Sequence, residues 1–316
     1  EELVYLTGVV ITAAIYIAYQ CISMSNVDVV LNSLSLAGAS LTCISLAMFP
    51  KLRSGSGQLI MYLAISDIFG HLFYTLQMPD NKALCHIQAV GINYFGLTTS
   101  LISIFITYTI FILFFRESSR NVTKDAVKSP VVITIWGLPA LMSVIPAALG
   151  AYGRDNTSNF CWIRDDISSR RRIFVILVCF YIPLWVAMTY AVIIYALVSG
   201  RISTMLKTNS IEPELYGLAE ASRVIRNVVS QLKWFPIILL LCYLFPTIFR
   251  LASFARYNRR WINILFKTAY CLGLCNCIAF YSLPNVQKMW SFSIHNKVTS
   301  WIQRLDEYTW AGTTRS

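Results

Sequence analysis

Charge is what this sequence has least of. Asp, Glu, Lys and Arg make up only 13% of its 316 residues, about half the share of an ordinary soluble domain. Apolar residues make up 56% and mean hydropathy is +0.59. Such a chain cannot clothe a globular surface in charge, which argues against a soluble enzyme or a nucleic-acid binder and excludes disorder. Histidine is also scarce: His71, His86 and His295 are scattered. The nine cysteines lie mostly inside apolar runs, with no pairing at metal-ligand spacing beyond Cys275-Asn276-Cys277. A metal centre is therefore not expected. Paired intramembrane carboxylates, a G-x-S-x-G and a catalytic His motif are all missing, so nothing points to an enzyme. The net charge of +11 would suggest nucleic acid in a soluble protein. In a membrane chain, basic residues at helix flanks account for it.

What is present is a series of long apolar runs. A spanning helix needs about 20 such residues. The candidates are Leu3–Met24, Val27–Phe49, Gln58–Met78, His86–Phe115, Val131–Tyr152, Ile173–Val198, Trp234–Phe254 and Trp261–Leu283. Turn chemistry separates them, as at Ser25-Asn26, Pro79-Asp80-Asn81 and Gly153–Arg172. The expected fold is an all-α membrane bundle of seven helices preceded by one additional helix. The first segment has a second reading, a signal peptide. Against it stand the acidic start Glu1-Glu2 and the lack of a small-x-small cleavage site. Four regions follow: 1–25 the extra helix, 26–284 the seven-helix unit, 285–304 an amphipathic surface helix, and 305–316 a polar tail. In the third, Val286, Trp290, Ile294, Val298 and Ile302 recur at helical spacing, flanked by Lys288, Lys297 and Arg304.

The loops 50–57, 116–130 and 199–233 and the C-terminal tail together hold more Lys and Arg than the alternate loops and the helix ends beside them. The first set is thus expected in the cytoplasm, with the C-terminus, and the membrane is expected to be the plasma membrane. The sequon Asn156-Thr157-Ser158 agrees, although Asn121-Val122-Thr123 on the other side weakens that argument. Cys85 and Cys161 are the cysteines of the outer loops, where oxidation is favoured, and a disulfide between them is expected; Cys21 is the one competitor.

Four motifs in order resemble G-protein-coupled receptors of the slime-mould cyclic-AMP-receptor-like family, related to the secretin-like receptors. Tyr62-Leu63-Ala64-Ile65-Ser66-Asp67 resembles the L-x-x-S-D of the second span. Phe160-Cys161-Trp162-Ile163 resembles the outer-loop C-W-I. Trp234-Phe235-Pro236 with Cys242-Tyr243-Leu244-Phe245-Pro246-Thr247-Ile248-Phe249-Arg250 resembles the sixth span. Gly273-Leu274-Cys275-Asn276 with Phe280-Tyr281 and Asn285-Val286-Gln287 resembles the exit of the seventh. The resemblance covers roughly residues 27–304. Tyr243 stands where the family usually has Trp, Phe114-Phe115-Arg116-Glu117 replaces D-R-Y, and the seventh span has no N-P-x-x-Y. The resemblance implies a heterotrimeric G protein as cytoplasmic partner and an extracellular ligand.

Asp67 is the only acidic residue in mid-span, a placement that costs on the order of 2.5–3.5 kcal/mol and demands polar partners in the bundle interior. At about 1.5 Å per residue, Asn276 falls at the same depth to within roughly 3 Å, and Ser40 beside it. The expected cluster is Asp67 and Asn276 with Ser66 or Ser40, holding water or a sodium ion. It is read either as a switch or as a fixed network. Lys267 lies about six residues inside the last span. Three readings stand: it snorkels outward, pairs with an anionic ligand, or carries retinal as a Schiff base. The last is disfavoured because the third span offers no acidic counter-ion at matching depth.

The outer face is rich in Arg, among them Arg154, Arg164, Arg170, Arg171, Arg172, Arg250, Arg256, Arg259 and Arg260, against the positive-inside bias. A small anionic, cyclic-nucleotide-like ligand is one reason; lipid headgroups or a partner subunit are others. Arg250, Lys267 and Trp162 are the candidate ligand residues. Pro236 and Pro246 are candidate kinks in the sixth span and Pro183 in the fifth. Arg116, Arg223 and Arg226 would face a G protein. The leading expectation is a receptor. The rival is a non-signalling subunit of a larger membrane assembly, docking through the additional first helix.

Overall fold

The computed structural model describes residues 27–53, 56–76, 80–115, 129–155, 160–208, 232–254, 267–293 and 299. The first segment Leu3–Met24, the sequon at Asn156, Arg116, Arg223, Arg226, Arg256, Arg259, Arg260 and the tail 305–316 lie outside the described residues.

Among the described residues, seven helical segments form the bundle: α1 (Val27–Met48), α2 (Ser56–Thr75), α3 (Lys82–Phe115), α4 (Ser129–Ala148), α5, α6 (Trp234–Phe254) and α7. α5 comprises Ser169–Ile176, a π turn Leu177–Tyr181, and Ile182–Thr208. α7 comprises a 3₁₀ turn Lys267–Cys271 and the helix Leu272–Tyr281. A further helix, α8 (Pro284–Ser293), turns off α7 at 74°. Among the described residues, five helices are long and apolar enough to cross a membrane, or six with the bent pair α7–α8 taken as one span. α2 is not among them, because Gln58, Asp67 and His71 dilute its apolar run.

The bundle buries many small polar side chains and exposes large apolar ones. α1 buries Asn32, Ser35, Ser40, Thr42 and Ser45 while Leu34 and Leu41 are exposed. Lipid does not reward burying Leu over exposing it, so close packing selects small residues. Gly38 and Gly273 let α1 and α7 touch: a Cβ on Gly273 would lie 2.6 Å from the Ser35 carbonyl. Buried hydroxyls also bond their own backbone, as Thr42 does to Gly38 O (3.1 Å) and Thr107 to Ser103 O (2.8 Å).

Two apolar clusters fill the interior. One lies at the end that carries the loop between α4 and α5 and includes Trp162, Phe180 and Tyr243. The other lies at the opposite end around Ile102, Ile106, Phe235 and Phe280. Between them runs a polar level. On α3, Thr99 separates Leu97 of the first cluster from Ile102 of the second; on α7, Asn276 separates Leu272 from Ala279.

Prolines shape the helices through the carbonyls they leave unbonded. The π turn of α5 directly precedes Pro183, and Ile182 N–H reaches Leu177 O across it. Pro246 has no N–H for the carbonyl of Cys242. Thr268 of α7 donates to that carbonyl instead, at 3.2 Å. Pro236 lies in the first turn of α6, and the helical pattern is interrupted just before it, at Lys233. Its missing N–H would have reached back to Leu232.

Gly150, with φ of +60°, ends α4 and turns the chain into a hairpin. β1 (Tyr152–Asp155) and β2 (Phe160–Ile163) pair antiparallel, with Arg154 opposite Cys161 and Asp155 opposite Phe160. All four residues of β2 are buried. This end of the molecule is called the hairpin end below.

Candidate functional site

The hairpin is tied to the bundle at several points. Cys85 in the first turn of α3 is disulfide-bonded to Cys161, closing 76 residues of chain, so the expected bridge is present. Beside it the fully buried Gln88 accepts from Cys161 N–H (3.0 Å) and donates to the carbonyls of Phe73 (2.9 Å) and Leu76 (2.6 Å) at the end of α2. Trp162 Nε1 donates to Asn93 Oδ1 at 3.4 Å, and Asn93 donates to Ser143 of α4 at 3.2 Å. Tyr152 donates its hydroxyl to Ser143 O at 3.0 Å, and burial pushes that phenol above its ordinary range.

Beyond the disulfide, Asp155 closes β1 with its side chain wholly buried. Arg172 of α5 donates to one carboxylate oxygen at 2.8 Å and Arg250 of α6 to the other at 2.9 Å. Arg250 is 2% exposed, and its guanidinium lies 4.9 Å over the Trp162 ring. Such a stack suits the planar, weakly hydrated guanidinium. Tyr74, Phe160, Phe180, Tyr181 and Tyr243 surround it, leaving a cavity of about 20 Å³. That is room for about one water.

Two of the three candidate ligand residues, Arg250 and Trp162, are thus brought together, but with an anion of the chain's own. Lys267 is engaged elsewhere, by Asp28 of α1 at 2.8 Å, where both side chains are partly exposed. Neither Asp155 nor Arg172 stood out in the sequence. Arg172 was one of many outer arginines, and nothing in the spacing showed that an aspartate of the loop would be buried between two helices. On the far side of the hairpin a second cavity, about 340 Å³, is lined by Asp80, Lys82, His86, Arg154, Arg164 and Asp166. Arg154 pairs there with Asp80 at 2.7 Å, and Arg164 with Asp166. Hydrogen bonding to Arg164 holds the Asp166 carboxyl below its usual range.

At the polar level, Asp67 of α2 accepts from Asn276 of α7 at 2.8 Å and from Thr99 of α3 at 3.2 Å. Ser66 bonds Thr99 (3.0 Å) and Phe95 O (3.1 Å). Asn276 Oδ1 is buried without a hydrogen-bond partner among the described residues. An orphaned acceptor beside a carboxylate suits water or a cation.

A turn toward the hairpin, α7 begins without a side-chain cap of its own. Its orphan N–H groups go to neighbouring helices: Gly273 N–H to His71 Nε2 (3.3 Å) and Leu274 N–H to Ser35 Oγ (3.2 Å). His71 Nδ1 therefore carries the proton toward Asn32 Oδ1, 3.0 Å away. His71, one of three scattered histidines in the sequence, proves to be a capping group. Its signal was its place one turn above Asp67, on the same helix face.

No protein-family model matches the chain. It is 24% identical to G-protein coupled receptor 1 of Arabidopsis thaliana, over 88% of this chain and 82% of that protein. It is 24% identical to Cyclic AMP receptor-like protein A (54% of this chain, 44% of that one) and 29% identical to Latrophilin receptor-like protein A (52% and 53%), both of Dictyostelium discoideum. The chain spans about half the length of these two. Among solved structures, squid rhodopsin matches with a TM-score of 0.65 at 15% identity, covering 93% of this chain and 87% of that one. By its fold and its relatives, the chain is an integral membrane protein, a helical bundle similar in fold to squid rhodopsin and in sequence to proteins named as G-protein-coupled and cyclic-AMP-receptor-like receptors.

Proposed function

We propose that the chain is a plasma-membrane receptor that senses a small anionic ligand at its hairpin end and signals to a heterotrimeric G protein at the other. The hairpin end faces outward and the C-terminus lies in the cytoplasm. The observation that carries the reading is the Arg250–Asp155 bond. It joins an outer loop directly to α6, one turn from Pro246, where that helix already lacks a backbone hydrogen bond. A change at the loop therefore bears on the helix most able to bend. Moving α6 at its far end, around Leu232 and Phe235, would widen the groove between α3, α5 and α6 for a partner helix.

Asp67, Thr99 and Asn276 give α2, α3 and α7 a shared hydrogen-bonded level that such a movement would rearrange, with sodium or water at Asp67 biasing one arrangement. The test is guanine-nucleotide exchange in reconstituted membranes holding the chain and a heterotrimeric G protein, with cyclic AMP as the first probe. Exchange above the protein-free rate that is altered in Arg250→Ala supports the receptor. Failure to stimulate any G-protein class, with stoichiometric recovery of the chain in a larger membrane complex, would replace it with the structural-subunit reading.

A further inference from the structure

We propose that the two guanidiniums at the hairpin end form a carboxylate-binding site whose resident ligand is the chain's own Asp155, so that an external small carboxylate gains entry only by displacing the end of β1. The proposal rests on the hairpin end being the ligand-receiving side, but it concerns binding alone.

Four observations carry it. Each oxygen of the Asp155 carboxylate receives its own guanidinium, Arg172 on one and Arg250 on the other. The carboxylate is fully buried, and Arg250 is held flat by the Trp162 ring, so the receiving groups are fixed in place before any anion arrives. Arg172 and Arg250 both stand against this one carboxylate, so removing it leaves two guanidiniums facing one another across the vacated place. The remaining cavity, about 20 Å³, admits about a water and nothing larger. An anion from outside therefore cannot join Asp155; it must replace it.

The geometry also supplies the route. Asp155 is the last residue of β1, opposite Phe160. The preceding pair, Arg154 with Cys161, contains the disulfide that anchors the hairpin to α3. Asp155 can thus leave the site by fraying one pair of the ladder while the anchored pair stays formed. Because Arg250 belongs to α6 and Arg172 to α5, the exchange of an internal for an external carboxylate would change how the hairpin restrains both helices.

The test is chemical rescue in lipid nanodiscs, read by thermal unfolding. Asp155→Ala removes the resident carboxylate and is expected to lower the midpoint. Sodium acetate or formate is expected to restore most of the loss, whereas sodium chloride at equal ionic strength is not. The wild type should respond only at much higher concentrations of carboxylate, because the added anion must first displace Asp155, and the double variant Asp155→Ala with Arg250→Met should show no rescue. Inorganic phosphate and cyclic AMP form a separate arm: rescue by these and not by carboxylates would overturn the carboxylate assignment in favour of phosphate. Absence of rescue by any anion, or equal rescue in the double variant, would reduce Asp155 to a structural latch. Should Asp155→Ala fail to fold, Asp155→Asn keeps the shape without the charge and is judged by the same outcomes. Nucleotide exchange plays no part in this readout, so loss of the G-protein reading leaves it intact, and the reverse holds too.

Discussion

Gln88 shows how much structural work a single buried amide performs at the hairpin end. Its two donor bonds terminate α2 by satisfying carbonyls of the last turn, and its acceptor fixes the backbone of Cys161. Leu in its place would leave three backbone groups without those partners in a dry environment. Gln88→Leu is expected to cost about 2–4 kcal/mol, on the scale of about 1–3 for a stranded buried group. Thermal unfolding in nanodiscs checks this; a midpoint within error of the wild type would remove Gln88 from the account. Asp67 invites a graded test of the same kind. Asp67→Ala strands the Asn276 amide, leaves the Thr99 hydroxyl with Ser66 alone, and should cost about 1–3 kcal/mol. Asp67→Asn retains an acceptor and should cost less. Equal losses for the two would mean that charge, and not hydrogen bonding, holds the level together.

At the scale of elements, the join between α6 and α7 is built around a missing bond. Pro246 leaves Cys242 O without its helical donor, and Thr268 supplies another. A double-mutant cycle separates this from ordinary packing. Thr268→Val alone should destabilise by about 1 kcal/mol, because it leaves a carbonyl unpaired in lipid. In a Pro246→Ala background the restored N–H takes the carbonyl, and Thr268→Val should become nearly neutral. Additive effects in unfolding measurements would refute the coupling. This pairing also marks the boundary of what the sequence reveals. Helix rise alone placed Asp67 and Asn276 at one depth, because depth depends only on residue count. The capping of α7 by His71 and Ser35, and the burial of Asp155 between Arg172 and Arg250, depend on how helices are rotated and how a loop folds back. No local periodicity encodes either. Ser40 illustrates the difference: it has the right depth, yet Thr99 of α3 supplies the hydroxyl that reaches Asp67.

For the whole molecule, two independent arguments bear on which way it sits in the membrane. One is the total number of Lys and Arg in alternate loops, a bias weakened by the many arginines around the hairpin. The other is the Cys85–Cys161 disulfide, which belongs in an oxidising compartment. Both favour the proposed orientation, with the hairpin end outside. The disulfide gives the sharper test, since a reductant that cannot cross membranes reaches it from one side only. On intact cells, such a reductant followed by an impermeant maleimide should label Cys85, which lines the open cavity beside the hairpin, and labelling should vanish in the Cys85→Ser/Cys161→Ser variant. An epitope appended after Ser316 should bind antibody only once the cells are permeabilised. The reverse pattern, with the epitope reached from outside and the disulfide protected, would invert the molecule. Arg250 and Asp155 would then face the cytosol, and their ion pair could no longer be read as the meeting point of an extracellular anion with α6.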